Sequence, residues 1–525
     1  MHPRFAAATL GVKIVSLDTG KTLFEHNAEK FFSPASNTKL YTMALALDKL
    51  GGDYRIKTSL YARSKPDRFG TLKGDLIVHG RGAPDFNARL HGDNIYQALA
   101  PLVAVLTNAG VKRITGDLVG DEGFFRGPPY GSGWAWDDME NYYGAEISAL
   151  TINDNVMRLS VKPGASNGAP CNLALSPATT YLTLNNRTET IAAGGRRNIR
   201  FHRPIEQNVV SVTGQMPQDD PGYSDDVTVH NPAGLFVALF QEALARQKVA
   251  WSETPHRHLA LFGDALVRRG ISIGGKLRTV GWRDRQVKPL DLEKLVELGA
   301  VESLPMRELV REVQKPSQNL YTDLVLAHIG AREQERQAKP LIPALSPSDG
   351  ERTASGPGAG QSRSSEASEE AGIRELQQFL IKAGVPRGEV QFEEGSGLSR
   401  NNLTTPNATI ALLQFMSRHA EAGAFLNALP IAGVDGTLRN RMKNTPAAGN
   451  VRAKTGTLRW ANALSGHVKT AAGERLLFSI MLNRYIAPGT EHSGRAEIDR
   501  IAVMLAGFTE RSDARDNNAG ANLNR

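Results

Sequence analysis

The chain has 525 residues, which at about 150 residues per domain suits three or four domains. Its 41% hydrophobic and 22% charged residues exclude wholesale disorder, and 51 glycines and 27 prolines without a fixed period exclude a collagen-like rod. The single cysteine, Cys171, excludes an intrachain disulfide framework or thiolate zinc cluster, and a net charge of +8 over this length gives no indication of nucleic acid.

In chain order, Gly11-Val12-Lys13-Ile14-Val15-Ser16-Leu17 alternates like a strand and closes on an Asp18-Thr19-Gly20 turn. The residues before it lack the basic, apolar and small-residue succession of an export signal. Either export by that route is absent or the true start lies upstream. Pro34-Ala35-Ser36 precedes an apolar run from Leu40 to Leu47, which sets Ser36 at a helix N-terminus. Strands are expected at Val156–Val161 and Asn208–Val212, and a helix at Leu235–Leu244 after Asn231-Pro232. From Ser346 to Ala371 there is no Val, Ile, Leu, Met or aromatic residue, so a disordered insertion is expected, bounded at 337–371. Helices follow at Gly372–Ala383 and Ala408–Ala420, and Leu476–Leu482 has the length of a buried strand. The tail from Arg511 reads as disordered, and no apolar run approaches the ~20 residues of a membrane span. The mixture is α+β and multi-domain.

Three short motifs carry possible chemistry. In Ser36-Asn37-Thr38-Lys39, helical spacing puts Lys39 within reach of Ser36, and a lysine of lowered pKa can take a serine proton. By itself this pattern arises about once by chance in a chain this long, usually as an N-cap and a solvated lysine. Ser317-Gln318-Asn319 alone reads as a turn capping the next helix. Lys454-Thr455-Gly456-Thr457 alone reads as an exposed edge strand.

Their order is specific. S-x-x-K, S-x-N and K-T-G in succession resemble the serine penicillin-binding proteins and related β-lactamases. The flanking stretches Glu394-Gly395-Ser396-Gly397-Leu398-Ser399-Arg400, Ala432–Leu438, Gly133–Asp138, Tyr142–Ala145 and Ser148–Asn155 narrow the resemblance. They are similar to the low-molecular-mass D-alanyl-D-alanine carboxypeptidases and endopeptidases, from about Gly11 to about Phe508. Lys39 and Ser317 lie 278 positions apart, too far for a compact β-lactamase, so domains must be inserted between them. The resemblance implies a β-lactamase/transpeptidase-like core, an antiparallel sheet packed with helices and built from both chain ends, at 1–60 and 290–511. It further implies two inserted, mainly β, accessory domains at 61–150 with 223–289 and, nested within, at 151–222, leaving a disordered tail at 512–525. Gln318 and Glu394 depart modestly from the family pattern.

On that resemblance Ser36 is the nucleophile that attacks the carbonyl between two D-alanines. Lys39, kept neutral by burial and nearby cations, is its base. Ser317 relays a proton to the departing amine, and Asn319 orients the substrate amide and Lys39. Lys454 faces the substrate carboxylate, Thr455 hydrogen-bonds it, and Gly456 leaves room for substrate along the strand. The N–H groups of Ser36 and Thr457 form the oxyanion hole. The implied partners are peptidoglycan stem peptides, with β-lactams as inhibitors, and no nucleic acid. The implied location is periplasmic or extracellular, and neither metal nor organic cofactor is required. The alternatives are a non-catalytic peptidoglycan-binding scaffold and a β-lactamase.

Other signals are weaker. Gly80-Arg81-Gly82 lacks the third glycine of a dinucleotide loop, and Pro84 blocks the helix it would need. Asp137-Asp138 reads as a solvated turn, His256-Arg257-His258 as surface, and Cys171 as a buried small side chain.

Overall fold

The structure is a computed structural model that describes residues 5–246, 270–281, 290–338, 366–486 and 493–513. It divides into two compact units. The first comprises Met1–Tyr54, Arg126–Ala135 and Leu304–Arg525, and the second Arg55–Phe125 and Trp136–Ser303.

In the first unit, strands β1 (Thr9–Ser16), β2 (Thr22–His26), β3 (Arg452–Leu458), β4 (Ala461–Lys469) and β5 (Arg475–Asn483) form one sheet in the order β3-β4-β5-β1-β2. Every pairing is antiparallel. The two chain ends meet in it, with Thr9 opposite Asn483 and Ser16 opposite Leu476. The apolar run expected as a buried strand is the middle one, β5. Leu476, Phe478, Ile480 and Leu482 join Val12 and Ile14 of β1 in a core cluster with Ile498 and Ala502. Those last two residues belong to helix α7 (Gly494–Ala506). Met481 points the other way, against Phe32 and Ala463. A strand covered on both faces is apolar at nearly every position, each such side chain contributing roughly 1.5–3 kcal/mol by burial.

Among the described residues of this unit, six α-helices precede α7. They are α1 (Thr38–Leu50), α2 (Met306–Gln314), α3 (Asn319–Ala338), α4 (Ser368–Lys382), α5 (Pro406–Arg418) and α6 (Ala422–Ala428). Helix α1 is buried on every side from Thr38 to Leu47, as its all-round apolar sequence requires. Thr405 caps α5 by accepting from the Ala408 N–H, with Pro406 at the first helical position.

The second unit is mainly β. Its largest sheet runs Leu277–Val280, Leu118–Asp121, Leu76–His79, Lys57–Ala62 and Val296–Glu302, with smaller three-stranded sheets beside it. Strands Val156–Lys162 and Val209–Pro217 and helix Pro232–Ala245 fall where expected. The Asn231 side chain caps that helix through the Gly234 N–H. Cys171 is buried and unbridged.

Several boundaries differ from the composition-based ones. Residues 339–365 of the expected insertion lie outside the described residues, but its edges do not. Gln337-Ala338 end α3, and Ser368-Glu369-Glu370-Ala371 form the first turn of α4. Ser368 and Ala371 are buried there, because small residues fill helix-packing space without the large apolar side chains that a composition scan counts. Arg126–Ala135 groups with the first unit. Its anchor is a two-way backbone link, the Arg126 N–H donating to Ser368 Oγ (2.9 Å) and the Ser368 N–H to the Arg126 carbonyl (2.8 Å). His256-Arg257-His258 and the tail from 514 lie outside the described residues. Among the described residues no helix is long and apolar enough to cross a membrane.

Candidate active site

Ser36 lies in a single 3-10 turn, Ala35–Asn37, that runs directly into α1. Ala35 before it has φ +48, a left-handed conformation costly for a residue other than glycine. One helical turn on, the Lys39 ammonium donates to Ser36 Oγ at 2.9 Å, as the three-residue spacing predicts. Lys39 also donates to Asn319 Oδ1 at 2.6 Å and to the Ser396 carbonyl at 2.5 Å. Asn319 is the first residue of α3, and Ser317 sits in the turn between α2 and α3 with φ +67. Both site serines therefore occupy or adjoin strained left-handed backbone, each such residue costing roughly 1–3 kcal/mol.

Strand β3 brings the third motif. Lys454 is fully buried and donates to Ser317 Oγ at 2.7 Å and to the Thr455 carbonyl at 2.9 Å. Thr455 Oγ1 meets Thr437 Oγ1 at 2.8 Å, and Thr457 Oγ1 donates to Asn462 Oδ1 at 3.3 Å. Strand β3 is the edge of its sheet, the position at which an extended peptide can add, although its start is already bridged, the Ala453 N–H donating to the Pro430 carbonyl at 3.0 Å. The eight residues singled out in the sequence thus collect around Ser36, Ser317 and the β3 edge.

Gly456 has a steric reason besides the one expected. A Cβ there would stand 2.3 Å from the Pro34 carbonyl, so the glycine makes room for the chain's own turn, the one that carries Ser36.

Burial pushes the pKa of Lys39 down to about 8, and the Asp323 and Glu394 carboxylates pull the other way. Repulsion between Lys39 and Lys454 is mutual and acts in the same direction as burial. Asp323 is buried, with the Ser396 side chain as a hydrogen-bond partner. Its pKa is raised well above the ordinary range by burial, then by Glu394 and Glu369, with Lys39 opposing. Lys454 is pushed well below the usual lysine value by burial and then by Lys39.

Sequence reasoning gave no role to Glu394, Ser396, Asp323 or Thr437. The Glu394 carboxylate accepts from the N–H groups of Ser396 (2.8 Å) and Gly397 (2.6 Å), from Ser396 Oγ (2.5 Å) and from Asn402 Nδ2 (2.8 Å). This network fixes the loop whose Ser396 carbonyl meets Lys39. Glu394, Ser396 and Thr437 lie in stretches already notable in the sequence, whereas Asp323 had only its place one helical turn after Asn319 as a signal. A hydroxyl bonded to an amine of lowered pKa, beside a second hydroxyl bonded to a second buried amine, supplies a nucleophile, a base and a proton relay.

Comparison with known proteins agrees with this geometry. The D-Ala-D-Ala carboxypeptidase 3 (S13) family matches residues 1–258 and 358–505. A D-alanyl-D-alanine carboxypeptidase of Actinomadura sp. (strain R39) is 32% identical over 521 residues, covering 96% of this chain and 82% of that protein. The crystal structure of penicillin binding protein 4 from Haemophilus influenzae superposes with a TM-score of 0.72 at 22% identity, over 95% of this chain and 97% of that one. The same protein complexed with a β-lactam gives a TM-score of 0.66 over the same shares, at 22% identity. The chain belongs to the D-Ala-D-Ala carboxypeptidase 3 (S13) family and is a serine-type peptidase of that family.

Proposed function

We propose that the Ser36 cleft hydrolyses D-Ala–D-Ala bonds of peptidoglycan stem peptides, as a carboxypeptidase, an endopeptidase or both. The reading rests on one observation, the Ser36–Lys39–Asn319 and Ser317–Lys454 hydrogen-bond constellation beside the β3 edge. Neutral Lys39 takes the proton as Ser36 Oγ attacks the carbonyl of the penultimate D-alanine. The N–H groups of Ser36 and Thr457 stabilise the oxyanion, about 3 kcal/mol per donor in comparable sites. Ser317 passes a proton to the departing amine and is reprotonated by the one Lys39 took from Ser36, so the C–N bond breaks, the acyl group stays on Ser36 and Lys39 is neutral again. Water, deprotonated by Lys39, then cleaves the ester and restores the serine. Lys454 and Thr455 hold the free carboxylate of the substrate.

A β-lactam places a strained amide and a carboxylate in these positions and acylates Ser36. The substrate lies outside the cytoplasmic membrane, so the protein works in the periplasm or beyond it. Within the second unit, residues 151–222 form the nested accessory domain.

Labelled penicillin tests the assignment. Wild type is expected to form a long-lived adduct and Ser36→Ala none. Unchanged labelling of Ser36→Ala refutes the nucleophile, and rapid loss of label favours a β-lactamase. Product analysis on cross-linked peptidoglycan separates alanine release from cross-link cleavage, and binding without either product favours a scaffold.

A further inference from the structure

The first unit carries a groove of about 730 Å³ whose lining contains none of the eight site residues. It lies where the β3–β4 turn, the segment before Ser36, the loop after Arg400 and the end of β5 converge. Among the described residues four cations line it, Lys30, Arg400, Arg459 and Arg484, and no carboxylate does. Among the described residues none of the four is joined in an ion pair. Unneutralised cations in a concave site concentrate anions.

The turn itself is unusual. Its two residues are Arg459 and Trp460, and Trp460 has φ +64 with 55% of its surface exposed. Hairpin positions with left-handed backbone are normally glycine or asparagine, and a bulky ring there is strained. Arg484, also left-handed at φ +58, braces it by donating its N–H to the Trp460 carbonyl at 2.8 Å. The Arg459 guanidinium lies 4.7 Å from the indole centroid. Ser33 Oγ, on the same groove, is buried with no hydrogen-bond partner. Such strain persists where the surroundings impose it, and it clusters at ligand clamps.

We propose that this groove binds a peptidoglycan glycan strand bearing free carboxylates, holding the wall while a stem peptide is cut. The inference rests on the reaction proposed for Ser36. The flat indole suits the apolar face of a sugar ring, and the four cations suit its acid groups. Position favours this polymer over a nucleic acid. Ser33 is three residues before Ser36, and Trp460 is three residues beyond Thr457, about 10 Å along an extended strand. A partly stripped strand held here by its free lactyl carboxylates keeps the stem peptides of its other muramyl residues at the cleft.

The test uses the full chain with Ser36→Ala, so binding requires neither turnover nor acylation. The probe is glycan strands stripped of stem peptides by an amidase, which frees their lactyl carboxylates. Neutral chitin oligosaccharides and a single-stranded oligonucleotide serve as comparators. The acidic strands are expected to bind about tenfold tighter than the neutral ones, and Trp460→Asn with Arg484→Gln to remove about that factor. Asparagine tolerates the left-handed turn, so the melting temperature of the variant is expected to be unchanged or raised. Equal binding of acidic and neutral glycans, undiminished binding by the double variant, or tighter binding of the oligonucleotide overturns the proposal. Penicillin acylation of the chain with Ser36 intact is read separately. Its failure strikes the reaction assignment, whereas lost strand selectivity with acylation intact strikes the groove.

Discussion

Lys39 and Lys454 are both fully buried, yet the regions around them differ in charge. Lys39 faces two carboxylates, Asp323 and Glu394, and its pKa settles at about 8. Lys454 is acted on by burial and by another lysine, with no carboxylate to offset them, and is held well below the usual lysine range. Desolvation alone does not define a buried amine; its counter-charges do. An amine with internal counter-charges can exchange a proton at moderate pH. One without them has its electrostatic vacancy filled when a substrate carboxylate arrives.

The largest effect expected from breaking this comparison is at Lys39. Lys39→Met leaves Ser36 without a base, and penicillin acylation should fall by about 10³-fold or more. Retained acylation would give the base role to another group. Next is Lys454→Ala, expected to lower kcat/KM by about 10²–10³ for peptides with a free C-terminal carboxylate. The same variant should barely affect C-terminally amidated peptides, and equal losses on both would deny it the carboxylate. Gly456→Ala should displace β3 from the Pro34 turn and weaken acylation while the second unit stays folded, checked by acylation together with limited proteolysis.

The pH profile sharpens the contrast. Lys39 is a base only when deprotonated, so acylation should rise with pH and level off above about 8. Asp323 favours the protonated lysine, so Asp323→Asn should move that rise to lower pH, with Glu394 still opposing. An unmoved profile would remove Asp323 from the balance. Stability has a matching sign. Because the folded pKa of Lys39 lies below the ordinary lysine value of 10.5, the unfolded chain binds more protons between about 8 and 10.5. Burying this amine therefore costs stability fully below about pH 8, and that cost fades as pH rises through the window. The smallest effect is expected at Thr437→Val. It removes the hydrogen bond to Thr455 and should raise KM about two- to tenfold, read in steady-state kinetics on a donor peptide.

Much of this site was legible before any coordinates. The Ser36–Lys39 contact follows from helical spacing, and the β5 run and the helix start at Asn231-Pro232 follow from local pattern. The second and third motifs were recognisable as residue types, but nothing local says that Lys454 meets Ser317 across 137 positions. The steric need for Gly456 was not visible because its close neighbour, the Pro34 carbonyl, is remote in sequence. The start of α4 was misplaced because burial of Ser368 and Ala371 depends on the helices they pack against, not on their hydrophobicity.

By itself the sequence determined whatever depends on near neighbours. This includes the helix that lifts Lys39 beside Ser36, the strands of the sheet and the order of the motifs. Only the tertiary structure decided which charges surround each buried amine, which glycine has no room for a methyl group, and how a strained tryptophan came to border four cations that pair with no carboxylate among the described residues. The physical reason is that desolvation, Coulomb attraction and steric contact act over ångströms of space, and chain separation carries almost no record of those distances.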